Sequence, residues 1–467
     1  MTAAFSSALF SADQPLNHIG SIMANPLAAK QSDALCGTVT VPGDKSISHR
    51  ALIFGALSTG TTNIRGLLEG EDVINTAKAL TALGAPAQKA GDVWQIRGAG
   101  PGGLTQPVPD TLDFGNSGTG VRLMLGVLAG HDVTVTCVGD ASLSRRPMGR
   151  VTIPLKQMGL IIDDARDTLP MTITGTSQLI PIEYTLPVPS AQVKSAILIA
   201  GLHARGTTSV IETEATRDHT ERMLRYFGAN VETRREGEKT RITVHGHPEM
   251  SGRDIMVPGD PSSAAFLAAA AAIVPGSDVT IRNILYNHTR TGFYQCLQEM
   301  GANLTIENQR EEGGEPIADL RLQSSELKGI TVPPDRAPSM IDEYPILAVV
   351  AAFASGETIM QGLGELKVKE SDRLAATAAG LIANGVEAII SGTTLIVRGG
   401  SQNVPGGGTV TTHLDHRIAM AFLILGQGAK APVTVDDGDV IATSFPEFRA
   451  LMQDIGGNIG PVEEASQ

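Results

Sequence analysis

The sequence predicts an α/β protein of two similar domains, each built from three copies of one unit. The first observation is an internal repeat, in which six small-residue helical segments each precede a β-branched strand and a second helix ending in glycine. The second is a larger echo, because Val-Pro-Gly-Asp at 41–44 recurs at 257–260, three copies later. The third is length, since 467 residues exceed the roughly 250–300 that one core accommodates.

The six copies share both their elements and their spacing. Each holds two helices and several strands, a unit too small to bury its own core. The closing glycines are separated by 69 to 84 residues, a regularity that composition alone does not produce. The helical segments are 50–57, 122–128, 194–202, 264–273, 345–354 and 417–425, and the closing glycines are Gly84, Gly159, Gly228, Gly301, Gly385 and Gly456.

The two Pro-Gly turns of the echo predict where the chain passes between domains. We expect one globular domain at 44–256 and a second at 257–467, with the strand at 34–43 packing onto the second. Two short crossings side by side form a hinge, and the cleft beside a hinge is a common ligand site. Residues 1–33 lack the regions of a signal peptide, so we expect a disordered extension there.

Composition disfavours several classes of protein. A net charge of −13 argues against nucleic acid and anionic membranes as partners, although a local field in a cleft can still attract a small anion. No apolar run reaches the roughly 18 residues of a membrane-spanning helix. Cys36, Cys137 and Cys296 are too sparse for a disulfide framework, which indicates a reducing, cytoplasmic setting. We expect a monomer that needs no metal or cofactor.

The stretch 42–50 carries the clearest anion-binding pattern. A strand turns at Pro-Gly and opens a helix whose first turns hold Lys45, Ser46 and Arg50. Free N–H groups at a helix start, hydroxyls and cations together suit a phosphate. Asp44 precedes the lysine where a Walker A loop requires glycine, and a carboxylate there would repel a nucleotide phosphate. A capped helix start with solvated cations is the alternative.

Other helix starts in the first half follow the same theme. Gly-Asn-Ser-Gly-Thr-Gly at 115–120 lets backbone N–H groups approach an anion, although a tight turn with an N-cap explains it equally. Three arginines within 145–150 suit bidentate binding of carboxylate or phosphate, the alternative being a solvated basic face. Ser-Ala-Gln at 190–192 and Thr-Arg-Asp-His at 216–219 either contact hydroxyls and a phosphate or cap helices.

The second half places carboxylates beside cations. Asp342 and Glu343 precede an apolar helix, Lys-Glu-Ser-Asp-Arg at 369–373 opens an amphipathic one, and Asp-His-Arg at 415–417 opens the last small-residue helix. Such groups suit general acid–base catalysis, because their surroundings can separate two pKa values. Capping and surface ion pairs are the alternative. Phosphate-suited and acid–base-suited groups fall at equivalent places in both halves, which favours one site between the domains.

These motifs resemble those of the 5-enolpyruvylshikimate-3-phosphate synthase family of enolpyruvyl transferases. The resemblance runs from about residue 35 over nearly the whole chain and rests on 42–50, 115–119, 146–149, 369–373 and 415–417. It implies two domains of three βαβαββ units each, an inside-out α/β barrel with the helices inside. It also implies transfer of the enolpyruvyl group of phosphoenolpyruvate to the 5-hydroxyl of shikimate 3-phosphate, with release of phosphate, in the interdomain cleft.

The resemblance further implies roles for single residues. Those matching shikimate 3-phosphate ligands are Lys45, Ser46, Arg50, Ser190, Ala191, Gln192, Arg217, Asp342 and Lys369. Those matching phosphoenolpyruvate ligands are Lys45, Asn116, Gly118, Arg146, Gln192, Arg373 and Arg417. Asp342 matches the base toward the 5-hydroxyl and Glu370 the proton-transfer partner at the methylene carbon, with Lys45 as a third catalytic residue.

One departure and two alternatives accompany the resemblance. Many family members carry a lysine before a Thr-Phe-Pro near the C-terminus, which 443–446 lacks, so that phosphate contact is absent or replaced. UDP-N-acetylglucosamine enolpyruvyl transferases share the architecture, but they have asparagine after the first lysine and a reactive cysteine in a mobile loop. This chain has Ser46 and no cysteine at 139–150. A non-catalytic anion-binding or ATP-dependent phosphotransfer protein is the other alternative, and the latter would need a Walker A or kinase-type glycine loop.

Overall fold

The computed structural model describes residues 25–163 and 166–462. Within them the chain forms six four-stranded sheets that share one internal order. In every sheet the first two strands run parallel, and the third and fourth pair antiparallel. The prediction of an α/β fold made from six copies of one unit is confirmed.

The strands alternate with the helices along the chain. In chain order the strands are β1 (Leu27–Ala29), β2 (Cys36–Val39), β3 (Thr61–Arg65), β4 (Ala87–Ala90), β5 (Val93–Arg97), β6 (Thr111–Asp113), β7 (Thr134–Val138), β8 (Ile161–Ile162), β9 (Met171–Thr174), β10 (Glu183–Thr185), β11 (Thr207–Glu212), β12 (Val231–Glu236), β13 (Lys239–His245), β14 (Asp254–Met256), β15 (Asp278–Leu285), β16 (Asn303–Glu312), β17 (Glu315–Gln323), β18 (Thr331–Val332), β19 (Ser355–Met360), β20 (Glu387–Ser391), β21 (Thr394–Gly400), β22 (Thr409–Val410), β23 (Val433–Val435) and β24 (Ile459–Pro461). The sheets have the orders β14-β3-β5-β4, β6-β7-β9-β8, β10-β11-β13-β12, β2-β15-β17-β16, β18-β19-β21-β20 and β22-β23-β1-β24.

Each unit contributes two α-helices. They are α1 (Lys45–Leu57), α2 (Glu71–Ala82), α3 (Gly118–Ala129), α4 (Gly149–Met158), α5 (Ala191–Gly201), α6 (His219–Phe227), α7 (Pro261–Ile273), α8 (Gly292–Glu299), α9 (Tyr344–Phe353), α10 (Arg373–Ala383), α11 (His416–Gly428) and α12 (Phe448–Asp454). Among the described residues, no helix combines the length and the apolar character needed to cross a membrane.

The buried apolar residues form two separate cores. One core draws on residues between 47 and 257 together with Leu285, and the other on 27–41 and 264–459. We call the described residues of 44–257 the first lobe, and those of 25–43 and 258–462 the second lobe. Every residue of α7 and of α9 is buried, as a helix that is apolar on all sides requires. In the second lobe these helices therefore lie inside.

The two crossings between the lobes exchange a strand. β2 precedes α1 along the chain but pairs with β15 in the second lobe, and β14 precedes α7 but pairs with β3 in the first. The turns are joined by backbone bonds, from the N–H of Asp44 to the oxygen of Pro258 at 2.7 Å and from Asp260 to Pro42 at 2.9 Å. A Cβ at Gly43 would lie 1.9 Å from a carbonyl oxygen, so only glycine fits.

Asp44 belongs to this crossing and does not face the cleft. Its carboxylate accepts from the N–H of Ile47 at 2.8 Å, which caps α1, and pairs with Arg290 at 2.8 Å. Arg290 also pairs with Asp260, the N-cap of α7, at 3.1 Å. Burial opposes the charge of Asp44, but Arg290 outweighs it and holds the pKa of Asp44 below 3.8. The echoed aspartates are therefore structural partners that share Arg290 at the two crossings between the lobes.

The prediction of a disordered extension at 1–33 is wrong for its last part. Leu27–Ala29 forms β1, which lies between β23 and β24 and completes the sixth sheet. Leu27 and Ala29 pack into the second core. β1 takes a place in the sixth sheet for which the C-terminal unit supplies no strand of its own. Residues 1–24 lie outside the described residues. The domain limits drawn from the sequence stay a prediction.

Stability should fall as the pH drops from about 6.5 toward 3. Burial lowers the pKa of His49, His203 and His416 from 6.5 to about 3 in each case, so these rings stay neutral while the unfolded chain binds protons. Within that window each ring lowers the free energy of unfolding by about 1.4 kcal/mol for every unit by which the pH falls.

Urea unfolding of the unchanged protein and of His203→Gln at pH 7 and pH 5 checks this. His203 is not one of the predicted site residues, and its ring makes an edge-to-face contact with that of His131, with the centroids 4.6 Å apart. The variant should show a smaller loss of unfolding free energy between the two pH values. An equal loss would contradict the assignment to His203.

Candidate functional site

The predicted site residues collect where N-terminal ends of helices from the two lobes face each other. Lys45 begins α1, Gly118 begins α3 and Arg373 begins α10. Arg217 of the first lobe reaches Asp342 of the second at 3.0 Å, so the two sides meet. The first N–H groups of a helix are free of intrahelical partners and carry partial positive charge. The cleft between the lobes is therefore a favourable place for anions.

Lys45 is held by a carboxylate that sequence reasoning missed. Its Nζ lies 2.7 Å from Oδ2 of Asp72, in the first turn of α2, and its side chain is 23% exposed. Burial opposes the charge of Lys45, but Asp72 outweighs it and raises the pKa of Lys45 above 10.5. Glu-Asp at the start of α2 is visible in the sequence, where it indicates only a helix N-terminus.

A cluster of arginines lies at the start of α3. Nη2 of Arg146 donates to Oδ1 of Asn116 at 2.9 Å, and a Cβ at Gly118 would lie 2.9 Å from Nη1 of Arg146. Burial, with the like charges of Arg146 and Arg150, lowers the pKa of Arg122 to about 10. The cations here exceed the nearby carboxylates, as an anion-binding site requires.

Gln192 joins this cluster to the start of α5. Its Oε1 accepts from Nη1 of Arg122 at 3.0 Å, and its Nε2 donates to Oγ1 of Thr119 at 3.0 Å. Ser190 caps α5 through the N–H three residues on, at 3.4 Å, and Ala191 is the first residue of that helix. Arg122 and Thr119 were not predicted. Arg122 lies one helical turn after Gly118, and that spacing could have indicated it.

Arg373 is the centre of the second lobe's side of the cleft. Its guanidinium contacts Asp342 at 3.1 Å, Glu370 at 2.5 Å and Asp415 at 2.8 Å, and its side chain is 1% exposed. Asp415 also caps α11 through the N–H of Arg417 at 3.0 Å. One buried cation therefore orients the two carboxylates that the resemblance implies as proton carriers.

Both of those carboxylates are ionised. Burial opposes the charge of Asp342, but Arg417, Arg217 and neighbouring cations hold its pKa well below 3.8. Burial likewise opposes the charge of Glu370, and Arg373 outweighs it and lowers the pKa of Glu370. Each is a carboxylate at neutral pH, with cations close enough to change its proton affinity.

Two further cations have spare binding capacity. Nη1 of Arg417 lies 3.9 Å from Oε1 of Glu343, and its guanidinium makes no hydrogen bond among the described residues. Lys369 is half-buried and makes neither a hydrogen bond nor an ion pair within the described part of the chain. The same residues contain no cluster of three histidine, cysteine or acidic side chains that could hold a metal ion. Arg417 and Lys369 are therefore available to bind anions.

The similarity of the chain to known proteins agrees with this geometry. The chain matches the family model of EPSP synthase (3-phosphoshikimate 1-carboxyvinyltransferase) over residues 29–452. The chain belongs to the EPSP synthase family. This confirms the resemblance inferred from the motifs.

Relatives of the EPSP synthase family resemble the chain along nearly its full length. The 3-phosphoshikimate 1-carboxyvinyltransferase of Parvibaculum lavamentivorans is 57% identical over 449 residues, covering 95% of this chain and 98% of that one. The protein of the same name from Brucella canis is 56% identical, with 93% and 97% covered. A solved EPSP synthase of Acinetobacter baumannii is 44% identical with a TM-score of 0.85, covering 93% of this chain and 99% of that one.

Within the described part of the chain, Arg50 makes all of its side-chain hydrogen bonds inside the first lobe. It is buried, and its guanidinium donates to Thr220 at 2.7 Å, to Ser195 at 2.8 Å and to the backbone oxygen of Ser46 at 2.9 Å. In the described structure Arg50 thus supports the start of α1, with Ser46 half-buried beside it, and its assignment as a shikimate 3-phosphate ligand stays a prediction.

This chain departs from the EPSP synthase pattern at 443–446, as the sequence indicated. Oγ1 of Thr443 lies 3.4 Å from Nδ1 of His416, directly before Arg417. The segment thus approaches the cleft but brings a hydroxyl where the resemblance leads us to expect a lysine.

Gly118→Ala is expected to raise KM for phosphoenolpyruvate more than KM for shikimate 3-phosphate. The new Cβ would lie 2.9 Å from Nη1 of Arg146 and 3.1 Å from Nη1 of Arg122, so one or both guanidinium groups must move. A displacement of about 1 Å in a positioning group can cost about 100-fold. Steady-state kinetics with each substrate varied in turn measure the effect.

Gly460→Ala is the matched control, since no atom lies within 4 Å of a Cβ built there. It should leave both KM values unchanged. An unaltered KM for phosphoenolpyruvate in Gly118→Ala would show that Arg146 does not hold that substrate.

Proposed function

We propose that the chain transfers the enolpyruvyl group of phosphoenolpyruvate to the 5-hydroxyl of shikimate 3-phosphate and releases phosphate. The observation that carries this is the cleft itself, where Lys45, Arg146, Arg373 and Arg417 surround the carboxylates of Asp342 and Glu370. The two phosphates and two carboxylates of the substrates need several cations, and addition of a hydroxyl to an enol phosphate needs a base for the hydroxyl and an acid for the methylene carbon. The named activity of the full-length relatives agrees with it.

We further propose how the substrates divide the cations. The phosphate of shikimate 3-phosphate would contact the first-lobe helix starts through Lys45, Ser46, Ser190 and Gln192, with Arg217 and Lys369 reaching it from the rim. Phosphoenolpyruvate would share Lys45 and Gln192 with shikimate 3-phosphate and lie against the other cations. Its proposed contacts are Lys45, Asn116, Gly118, Arg146, Gln192, Arg373 and Arg417. The short distances among Arg146, Asn116 and Gly118 support the second assignment.

In the proposed reaction the two carboxylates move protons. Glu370 first takes up a proton, as the substrate anions share the charge of Arg373 and Arg146 that holds its pKa low. Asp342 takes the proton of the 5-hydroxyl while that oxygen bonds to C2 of phosphoenolpyruvate, and the protonated Glu370 delivers its proton to the methylene carbon C3. The Glu370 carboxylate then takes a proton back from C3 of the tetrahedral adduct as the bond between C2 and the phosphate oxygen breaks. Phosphate leaves and the enol ether forms. No step requires a metal or a cofactor.

Substrate binding would raise the basicity of Asp342. In the structure Arg417, Arg217 and Arg373 keep the pKa of this carboxylate low, which makes it a weak base. The same arginines are the proposed ligands of the substrate anions. Once phosphate or carboxylate groups share their charge, the field on Asp342 falls and its pKa rises toward the working pH. Turnover would thus begin only with both substrates bound.

The organisation of the chain supports closure of the lobes on the substrates. We propose that the lobes correspond to domains at 44–256 and at 34–43 with 257–467, which move about the two crossings. Both sides of the cleft come from one chain, so we propose a monomer. The three cysteines are free thiols, which fits work in the reducing cytoplasm.

A phosphate-release assay with shikimate 3-phosphate and phosphoenolpyruvate tests the function. We expect release that requires both substrates. A second assay replaces the acceptor by UDP-N-acetylglucosamine, for which we expect none. Release only with the UDP-sugar would reject the proposed acceptor, and no release with either would reject the transferase.

A further inference from the structure

Three consecutive residues of the first lobe all contact the second lobe. Arg217 pairs with Asp342 at 3.0 Å, Asp218 accepts from Asn287 at 2.7 Å, and Nδ1 of His219 lies 2.9 Å from Oε1 of Glu315. The first of these contacts lies in the cleft, and the other two lie directly behind it. The segment 217–219 therefore joins the lobes at one place beside the proposed base.

Asn287 is the central group of this contact. Its Nδ2 donates to Oδ1 of Asp218 at 2.7 Å and to Oε2 of Glu315 at 2.9 Å. Its Oδ1 accepts from the N–H and from the hydroxyl of Thr289, both at 2.9 Å. All four hydrogen-bonding positions of the amide are used, and the opposite orientation would aim its oxygen at two carboxylates.

The surroundings make this amide hard to replace. Asn287 is 0% exposed, and His219 and Glu315 are each 1% exposed. Leu285, two residues before Asn287, packs into the core of the first lobe although it belongs to the second. Burial opposes the charge of Asp218, but the bond from Asn287 and the charge of Arg222 hold the pKa of Asp218 below 3.8. Asn287 thus lies between a carboxylate of each lobe, with Glu315 buried and the Asp218 side chain 27% exposed.

We propose that Asn287 is a positioning residue for the reaction: its amide ties Asp218 to Glu315 across the lobe interface and thereby places Arg217 at Asp342. Arg217 has a flexible side chain, and the next two residues fix its backbone against the second lobe. Without that anchor the guanidinium loses its place at the rim of the cleft, and with it the proposed contact to shikimate 3-phosphate.

Asn287→Asp is the direct test. The substitution keeps the oxygen that accepts from Thr289, but it replaces a double donor by a third carboxylate. We expect KM for shikimate 3-phosphate to rise about tenfold or more, as loss of charge-assisted hydrogen bonds predicts. We also expect a larger radius of gyration by small-angle X-ray scattering, because the lobes separate.

The control and the rescue separate positioning from general damage. Asn303→Asp makes the same change at an exposed site of the second lobe, where the amide donates to Gln323 at 2.9 Å, and should leave KM unchanged. The double variant N287D/D218N restores one donor between the two positions, since the amide introduced at position 218 can donate to the carboxylate introduced at position 287. In this double variant KM for shikimate 3-phosphate should return part of the way toward the value of the unchanged protein. A double variant no better than N287D would overturn the proposal.

Because the proposal rests on the proposed transferase activity, the unchanged protein is assayed first. If it releases no phosphate, the function is rejected, and scattering still tests the contact: an equal radius of gyration in N287D overturns it. If the unchanged protein is active and N287D has the same KM for shikimate 3-phosphate, the positioning role is overturned. If N287D does not fold, N287A, which removes the donors without adding charge, is judged by the same criteria.

Discussion

Replacing Asp342 by asparagine is expected to lower kcat about 100- to 10,000-fold, the usual contribution of a general base. KM for the two substrates should stay unchanged or fall. Asp342 contacts Arg217 at 3.0 Å and Arg373 at 3.1 Å, and removal of its charge leaves these cations free for substrate anions. Loss of turnover with retained binding is the signature of a group that acts in the transition state.

Asp372→Asn is the matched control for this variant. Asp372 is exposed and caps α10 through the N–H of Ala375 at 3.0 Å, a function that asparagine also serves. Its kinetics should equal those of the unchanged protein. A kcat of Asp342→Asn within a few-fold of normal would remove Asp342 from the mechanism.

Arg373→Met is expected to abolish activity and to destabilise the protein as well. The side chain is 1% exposed and pairs with Asp342, Glu370 and Asp415. Removal of one partner from a buried ion pair costs about 3–5 kcal/mol, and here three carboxylates each lose a partner, although Asp342 keeps its contact with Arg217. The proton carriers would also lose their orientation. Thermal unfolding and single-turnover kinetics measure the two effects separately.

Arg398→Met is the control of matched chemistry. Arg398 also pairs with two carboxylates, those of Glu357 and Glu387, but its side chain is 54% exposed. Solvent screens such pairs, so the melting temperature should hardly change. Equal melting temperatures for the two variants would mean that the Arg373 cluster contributes no stability through its burial.

Local pattern was sufficient to predict the repeat, because glycine-closed helices at regular spacing indicated six units. The helix-start motifs suited anions, but the roles of Lys45, Arg146 and Arg373 came from the family resemblance and stay predictions. Asp72 was missed because an acidic residue in a first helical turn looks the same whether it caps the helix or holds a lysine at 2.7 Å. Arg50 matched the motif, yet burial directs its guanidinium to Thr220 and Ser195.

The sequence by itself determined the units, their order and the chemistry of their helix starts, because those depend on residues within one or two helical turns. Only the tertiary structure decided which strand completes which sheet. β1 and β2 both join sheets whose other strands follow more than 200 residues later, and no local pattern identifies such partners. The same holds for the contact of Asp218 with Asn287, since hydrogen bonds between lobes depend on how two separately packed cores meet.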